Sequence, residues 1–289
     1  MYQVITFYKY VNIPNSELLK EQLKEYCKEN NIFGRILIAC EGINGGVSGE
    51  KETIEKFKKM LKKNPLFTDI TFREQEISSN SYHKLVIKVR EEVCMFREKV
   101  DLSKKGDYID PRTLKEWYKK GKDFVIIDAR NGYEYDVGHF KGAKKLPIEI
   151  FSEFPKEINK LNIDKNKEIV LYCTGGIRCE KASAFMKQKG YNNVYHIQGG
   201  IINYLQQVKN EEWEGGLFVF DDRIVSSLSD PITKCIHCGK KEMQYINCHN
   251  LDCDKLVICC KECGQKMNNT CSKECKEAKR HRIRAIQEF

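Results

Sequence analysis

Nowhere in the 289-residue chain do about 18 apolar residues follow one another, so a membrane-spanning helix is not expected. The first thirty residues, MYQVITFYKYVNIPNSELLKEQLKEYCKEN, hold neither a long apolar core nor a small-residue cleavage site. No signal peptide is therefore expected, and the chain reads as cytoplasmic. Without a secretory route the fourteen cysteines are not the framework of a disulfide-stapled fold. Sequence repeats and low-complexity tracts are also absent, and the length fits two or three domains, each with its own core. Acidic residues fall short of basic ones, 41 against 50, which leaves a formal charge of +9. Scattered lysines on amphipathic helices account for this as solvated faces. A net positive field that attracts a polyanion such as RNA is the alternative, and charge alone favours the solvated faces.

What is present divides into regions of different pattern. Residues 1–100 alternate strands and helices. VITFYKY (4–10) reads as a strand, and Ser16 as the cap of a helix with Leu18, Leu19, Leu23 and Tyr26 at helical spacing. RILIAC (35–40) is a buried strand, and GINGGVSG (42–49) a glycine-punctuated turn into a short one. TIEKFKKMLKK (53–63) is an amphipathic helix, followed by strands DITFREQE (69–76) and HKLVIKV (83–89). The order βαββαβ plus one strand predicts a ferredoxin-like α+β sandwich. Residues 101–114 lie in a polar crossing segment. Residues 115–213 form an α/β domain, because FVIIDAR (124–130) and EIVLYC (168–173) are near-continuous apolar runs suited to a parallel sheet buried on both faces. KASAFMKQKG (181–190) is a helix ending at a glycine, NVYHIQGG (193–200) a strand, and INYLQQV (202–208) a helix. Residues 214–289 show little apolar periodicity and must be held by something other than a hydrophobic core. The whole is an α/β and α+β multidomain chain.

The segment KEIVLYC-TGGIRC-EKASAFM sets Cys173 at the carboxyl end of a buried strand, with a helix directly after it. Ligand sites of open parallel sheets lie at such strand ends. Thr174, Gly175, Gly176 and Ile177 can turn successive N–H groups inward as an anion nest. Arg178 and the helix N-terminus add positive potential, and both lower a thiol pKa. Such a cysteine can attack an electrophile or carry a persulfide. Cysteine phosphatases ring a phosphate with a loop one residue longer than TGGI, so this loop suits a sulfur or another compact group. Cys179 at the helix start is a second candidate nucleophile, or a residue that resolves a persulfide or sulfenate on Cys173.

Around that loop the chain resembles the rhodanese family. Asp128-Ala129-Arg130, Glu134, Gly138-His139-Phe140-Lys141-Gly142-Ala143 and Leu146-Pro147 are similar to its first signature. Gly190-Tyr191-x-x-Val194-Tyr195-x-Ile197-x-Gly199-Gly200-Ile201 is similar to its closing one. The resemblance implies a persulfide-capable Cys173 in a central rhodanese domain. It also implies that Asp128, Arg130 and His139 brace the sheet beside the loop rather than perform chemistry.

Nine cysteines crowd into residues 235–275. Cys235/Cys238, Cys248/Cys253, Cys260/Cys263 and Cys271/Cys275 form four close pairs, the eight thiolates of two tetrahedral zinc sites. Cys259 is left over, with His237 and His249 as substitute ligands. Sequential and interleaved pairings are both open, and thiolates alone do not separate zinc from an iron–sulfur cluster. Residues 234–289 carry twelve basic and seven acidic residues, +5, and eight thiolates on two Zn²⁺ would add −4. KEAKRHRIRAIQ (276–287) reads as a basic C-terminal helix able to meet phosphates. Cys27, Cys40 and Cys94 read as fillers of apolar space.

The succession of an α+β domain carrying IACEGINGGVSG, a rhodanese domain carrying YCTGGIRCEKA and a cysteine-rich tail resembles the rhodanese-containing tRNA uridine hydroxylases. That resemblance implies oxygen-dependent conversion of the wobble uridine to 5-hydroxyuridine, with molecular oxygen as cosubstrate and the anticodon region of tRNA as partner. A sulfurtransferase fed by thiosulfate or a protein persulfide fits the loop as well. A non-catalytic RNA- or protein-binding module fits less well, since an inert copy needs neither Cys173 nor Arg178.

Overall fold

The computed structural model describes residues 1–209 and 211–282. They cluster as two units. The first holds Met1–Gly132, Gly142–Lys209 and Phe220–Arg223, and the second holds Tyr133–Lys141 with the described parts of 210–219 and 224–289.

The chain begins with β1 (Tyr2–Tyr10), α1 (Ser16–Glu29), β2 (Phe33–Ala39), β3 (Gly42–Glu50), α2 (Lys51–Lys63), β4 (Phe72–Ile77) and β5 (Leu85–Val89). The sheet order is β4-β1-β3-β2-β5. Its first four strands are the antiparallel ferredoxin-like arrangement, and β5 adds to β2 in parallel. Leu19, Leu23 and Cys27 of α1 and Ile54, Phe57 and Leu61 of α2 recur every three or four residues and bury one face of each helix against the sheet. Asn15, not Ser16, caps α1: its side chain accepts from the Leu18 N–H at 2.9 Å. Leu18 points to solvent and Cys27 takes the inward place, whereas Cys40 is exposed rather than filling apolar space. GINGGVSG is not a turn into a short strand but nearly the whole of the nine-residue β3, flanked by β1 and β2. Its glycines mark close approach rather than bends. A Cβ on Gly45 would lie 2.7 Å from the Phe7 ring.

Next come β6 (Asp107–Ile109), α3 (Pro111–Lys119), β7 (Val125–Asp128), α4 (Gly132–Val137), β8 (Gly138–Phe140), α5 (Phe154–Ile158), β9 (Glu168–Tyr172), α6 (Ile177–Gln188), β10 (Asn193–Ile197) and α7 (Gly200–Gln207). Strands β6, β10, β9 and β7 make a parallel rhodanese-type sheet in that order. Ile127, Ile169 and Leu171 are fully buried, each worth about 1.5–3 kcal/mol of burial. The polar crossing segment is therefore partly structural. Asp107–Ile109 pairs with Tyr195–Ile197, and Asp110 caps α3 through the Arg112 and Thr113 N–H groups. A three-residue strand is too short to show its period in the sequence.

In the second unit, β8 pairs antiparallel with β11 (Trp213–Gly215), β12 (Leu217–Phe218) with β13 (Val225–Ser226), and β14 (Tyr245–Asn247) with β15 (Leu256–Ile258). Helices α8 (Lys261–Lys266) and α9 (Lys273–Glu277) follow. A small apolar cluster of Val137, Phe218, Val225, Met243 and Tyr245 does exist here, and next to it in composition is one built mainly of cysteines. The basic helix expected over 276–287 ends at Glu277. Residues 280–282 instead pair with 249–251, with Leu251 N–H donating to Arg280 O at 2.9 Å and Arg282 N–H to His249 O at 2.8 Å. The remainder of that stretch lies outside the described residues. Among the described residues no helix is long and apolar enough to cross a membrane.

Candidate active site

Cys173 follows β9 directly, and α6 starts four residues later, so strand end and helix N-terminus face each other across Thr174–Gly176. The Gly176 N–H donates to Cys173 Sγ at 3.1 Å. Arg178 Nη2 donates to Thr174 Oγ1 at 3.4 Å, which folds the guanidinium back over the loop. Burial pushes the Cys173 thiol up, since its residue is only 1% exposed. The Cys179 thiol, the Arg178 charge and the N–H groups of Cys179 and Gly176 more than offset that, and bring it down to about 6. Cys179 moves the opposite way, well above the ordinary range, driven by burial and by its bond to Cys173. The two sulfurs thus divide roles within one site: a thiolate at Cys173 and a neutral thiol that donates to it at Cys179.

The loop is held from several sides. Ile201 N–H donates to Cys173 O at 3.0 Å and Ile202 N–H to Thr174 O at 3.2 Å, so the first turn of α7 fixes the loop's carbonyls. Asp128, the last residue of β7, stands opposite Tyr172 in the register and so beside the base of the loop. Arg130 grips it with Nε at 3.0 Å and Nη2 at 2.6 Å, both side chains buried. His139 belongs to the second unit, where its ring stacks on Tyr135 at 3.9 Å and Nδ1 lies 2.9 Å from Tyr135 O.

The N-terminal domain supplies contacts that its sequence did not announce. Tyr10 Oη donates to Ile177 O at 3.3 Å, and Arg73 Nε to Gly199 O at 2.8 Å. Gly176 has φ +105°, and a Cβ there would meet Tyr8 Oη at 2.8 Å, so both backbone and space require glycine. Tyr8 Oη donates to Glu180, whose buried carboxylate also accepts from Tyr108 Oη at 2.7 Å and Lys105 Nζ at 2.6 Å. The adjacent Lys181, 3% exposed, donates to Glu41 at 2.8 Å, Glu92 at 2.5 Å and Cys94 O at 3.1 Å. Two opposite charges on the first turns of α6 thus fasten the reactive loop to the first hundred residues. The one signal available beforehand was a Glu-Lys pair opening a helix that otherwise reads as small and apolar. Cys94 packs against the same core as Cys173 and Cys179.

In the second unit the eight paired cysteines converge as two groups. They are Cys235, Cys238, Cys260 and Cys263, and Cys248, Cys253, Cys271 and Cys275, with all sulfurs of a group within 4.8 Å of one another. The pairing is interleaved. Zn–S bonds of about 2.3 Å in a tetrahedron require sulfurs about 3.8 Å apart. Cys238–Cys260, Cys253–Cys271 and Cys271–Cys275 stand at 3.8, 3.7 and 3.6 Å. Backbone N–H groups of Cys260 and Cys271 reach Cys235 Sγ and Cys248 Sγ at 3.4 Å each, support that thiolates need. The donor set and spacing therefore fit a tetrahedral metal ion in each group. Cys259 stays outside both, its thiol pushed up to about 12 by burial.

Residues 2–93 match the model of a UPF0176 acylphosphatase like domain, 110–207 a rhodanese-like domain, and 214–276 a rhodanase C-terminal domain. A tRNA uridine(34) hydroxylase of Protochlamydia amoebophila is 37% identical, over 96% of this chain and 89% of its own. Those of Bacillus mycoides and Cytophaga hutchinsonii are 39% and 37% identical, over 97% and 95% of this chain and 91% and 90% of theirs. The chain belongs to the tRNA uridine(34) hydroxylase family. The contacts of β1 with α6 join the N-terminal and rhodanese domains beside the Cys173 loop.

Proposed function

We propose that the protein is a tRNA-modifying enzyme that hydroxylates the wobble uridine at C5 to give 5-hydroxyuridine, with Cys173 as its reactive group. The observation that carries this reading is a thiol drawn down to about 6 inside a loop held by two domains, in a chain of this family. Arg178 and the Gly176 N–H hold the negative charge on sulfur, Cys179 donates to it, and Thr174, Gly175 and Ile177 complete the nest. Asp128 and Arg130 brace the strand end, and His139 braces β8 against β11.

Two chemistries use this thiolate. In one, sulfur adds to C6 of uracil and C5 becomes electron-rich. C5 then takes one atom of molecular oxygen, a pair of small-molecule thiols reduces the other atom to water and leaves as a disulfide, and loss of the C5 proton expels Cys173. In the other, a persulfide on Cys173 is itself the two-electron reductant: one atom of molecular oxygen goes to C5, and the outer sulfur is oxidised as it takes the other. The burial of Cys173 favours the second, because the outer sulfur of a persulfide stands about 2 Å beyond the first. A small sulfane-sulfur donor or a sulfur-donor protein then loads it. Two structural zinc ions in the interleaved thiolate groups cross-link a region with a small apolar core, and the free cysteines elsewhere suit the reducing cytoplasm.

Nucleoside mass spectrometry of tRNA from cells lacking the protein, rescued with wild type or Cys173→Ser, tests the reading. Loss of 5-hydroxyuridine restored by wild type alone is expected. Loss of a thiolated nucleoside instead would make the protein a sulfurtransferase.

A further inference from the structure

Phe220 differs from every other described phenylalanine: it alone is exposed, at 55%, while the rest are buried or half-buried. Leaving such a ring in water forfeits burial that a core position would provide. The short segment that carries it is nonetheless held firmly to the first unit. Asp222 N–H donates to Ser81 O at 2.9 Å, and His83 Nδ1 lies 2.8 Å from Asp222 Oδ2. Arg223 grips Asp221 through Nε at 2.9 Å and reaches Gln75 Oε1 with Nη1 at 2.8 Å. The ring is placed where the Arg178 guanidinium lies over it, 5.6 Å from its centroid. That same guanidinium holds the Cys173 thiolate, so Phe220 is one side chain removed from the reactive sulfur. The loop is open nearby, since a Cβ on Gly175 would meet nothing within 4 Å.

We propose that Phe220 is a stacking platform for an unpaired RNA base that flanks the uridine presented to the Cys173 loop. This rests on the tRNA reading above and adds a substrate-positioning residue to it. The assignment to a flanking base, not the reacting one, follows from geometry. Arg178 already contacts both the ring and the Cys173 loop, so the ring serves a neighbour of the reacting base rather than that base itself. Every base has a π-face, and a rigid aromatic with a guanidinium at hand is the side-chain pair that single-stranded nucleic acid uses for stacking. A buried aliphatic contact would instead require the ring to be covered.

The test is fluorescence anisotropy with a labelled anticodon stem-loop RNA bearing uridine at the wobble position. Phe220→Ala and Phe220→Leu are expected to weaken binding about tenfold, and Phe220→Trp to bind as wild type does. Alkylation of Cys173 by iodoacetamide should proceed in all three, which reports an intact loop. Unchanged binding by Phe220→Ala, or full binding by Phe220→Leu, overturns the platform while leaving hydroxylation untouched. Loss of Cys173 alkylation in all three overturns it too, by making Phe220 a support of the fold. If wild type restores no 5-hydroxyuridine in cells, the hydroxylase reading falls and the platform falls with it.

Discussion

At the scale of single residues, the chemistry rests on which of two adjacent sulfurs holds the negative charge. With its thiol at about 6, Cys173 is mostly thiolate at neutral pH, against about 8.5 for an ordinary cysteine. Because the folded value is depressed, reactivity should already be present at pH 7 and fade as the pH falls through 6. The rate of alkylation by iodoacetamide, followed from pH 5 to 9 by mass spectrometry of the Cys173 peptide, should show that midpoint. Cys179→Ala removes one donor to the thiolate. A hydrogen bond to a charged group contributes about 1.5–3 kcal/mol, so the midpoint should rise by about one to two units. Cys179→Ser keeps a donor and should stay close to wild type. A midpoint that ignores Cys179→Ala would show that Arg178 and the backbone carry the effect alone. Cys173 and Arg178 were legible in the sequence because both sit within one turn, where spacing dictates geometry. The division of labour between Cys173 and Cys179 was not, because burial and donor direction decide it.

The elements show where local pattern stops being informative. Helix α6 was recognisable from 181 onward, yet it begins at Ile177, and its first turns carry the charges that bind the N-terminal domain. The Tyr8 and Glu180 partners are 172 positions apart, and those of Lys181 and Glu41 are 140 apart, so no window along the chain reveals them. Strand β3 hides for a related reason: its glycines look like turn formers until Phe7 is seen across the sheet. The Lys181 cluster can be weighed energetically. Removing one partner of a fully buried ion pair costs about 3–5 kcal/mol. Here Glu41 and Glu92 keep 27% and 25% of their side-chain surface in water, which screens part of the loss. Lys181→Ala should therefore destabilise the protein by about 2–3 kcal/mol, read as a lower urea midpoint for the transition that exposes the first unit. Lys181→Met keeps the aliphatic stem and the packing, so it isolates the charge and should recover only the smaller, apolar share. A midpoint unmoved by either variant would mean that the two carboxylates do not need the ammonium, and that aromatic contacts such as Tyr10 on α6 fasten the loop by themselves.

For the molecule as a whole, the second unit states most directly what an amino-acid sequence withholds. Eight cysteines in four pairs predicted two metal sites, but two wirings satisfied the same spacing. The folded chain selects the interleaved one, first pair with third and second with fourth, because β14 and β15 pair antiparallel and bring Cys248 and Cys260 to opposite ends of one ladder. This wiring has a measurable consequence. The protein should carry two equivalents of zinc, counted by native mass spectrometry. Cys235→Ser together with Cys260→Ser empties a single group and should leave one metal. Cys235→Ser together with Cys248→Ser breaks both groups and should leave none, whereas sequential wiring would reverse these two results. Since structural zinc contributes folding energy outright, on the order of 10 kcal/mol per ion in small domains, the second double variant should also lose the second unit's protection from proteolysis. Cys173 alkylation should survive in it, because the Gly176, Ile201, Ile202 and Tyr10 bonds that hold the reactive loop lie within the first unit. Loss of that reactivity along with the metal would mean that the thiolate depends on the zinc-bearing unit for more than its cross-links.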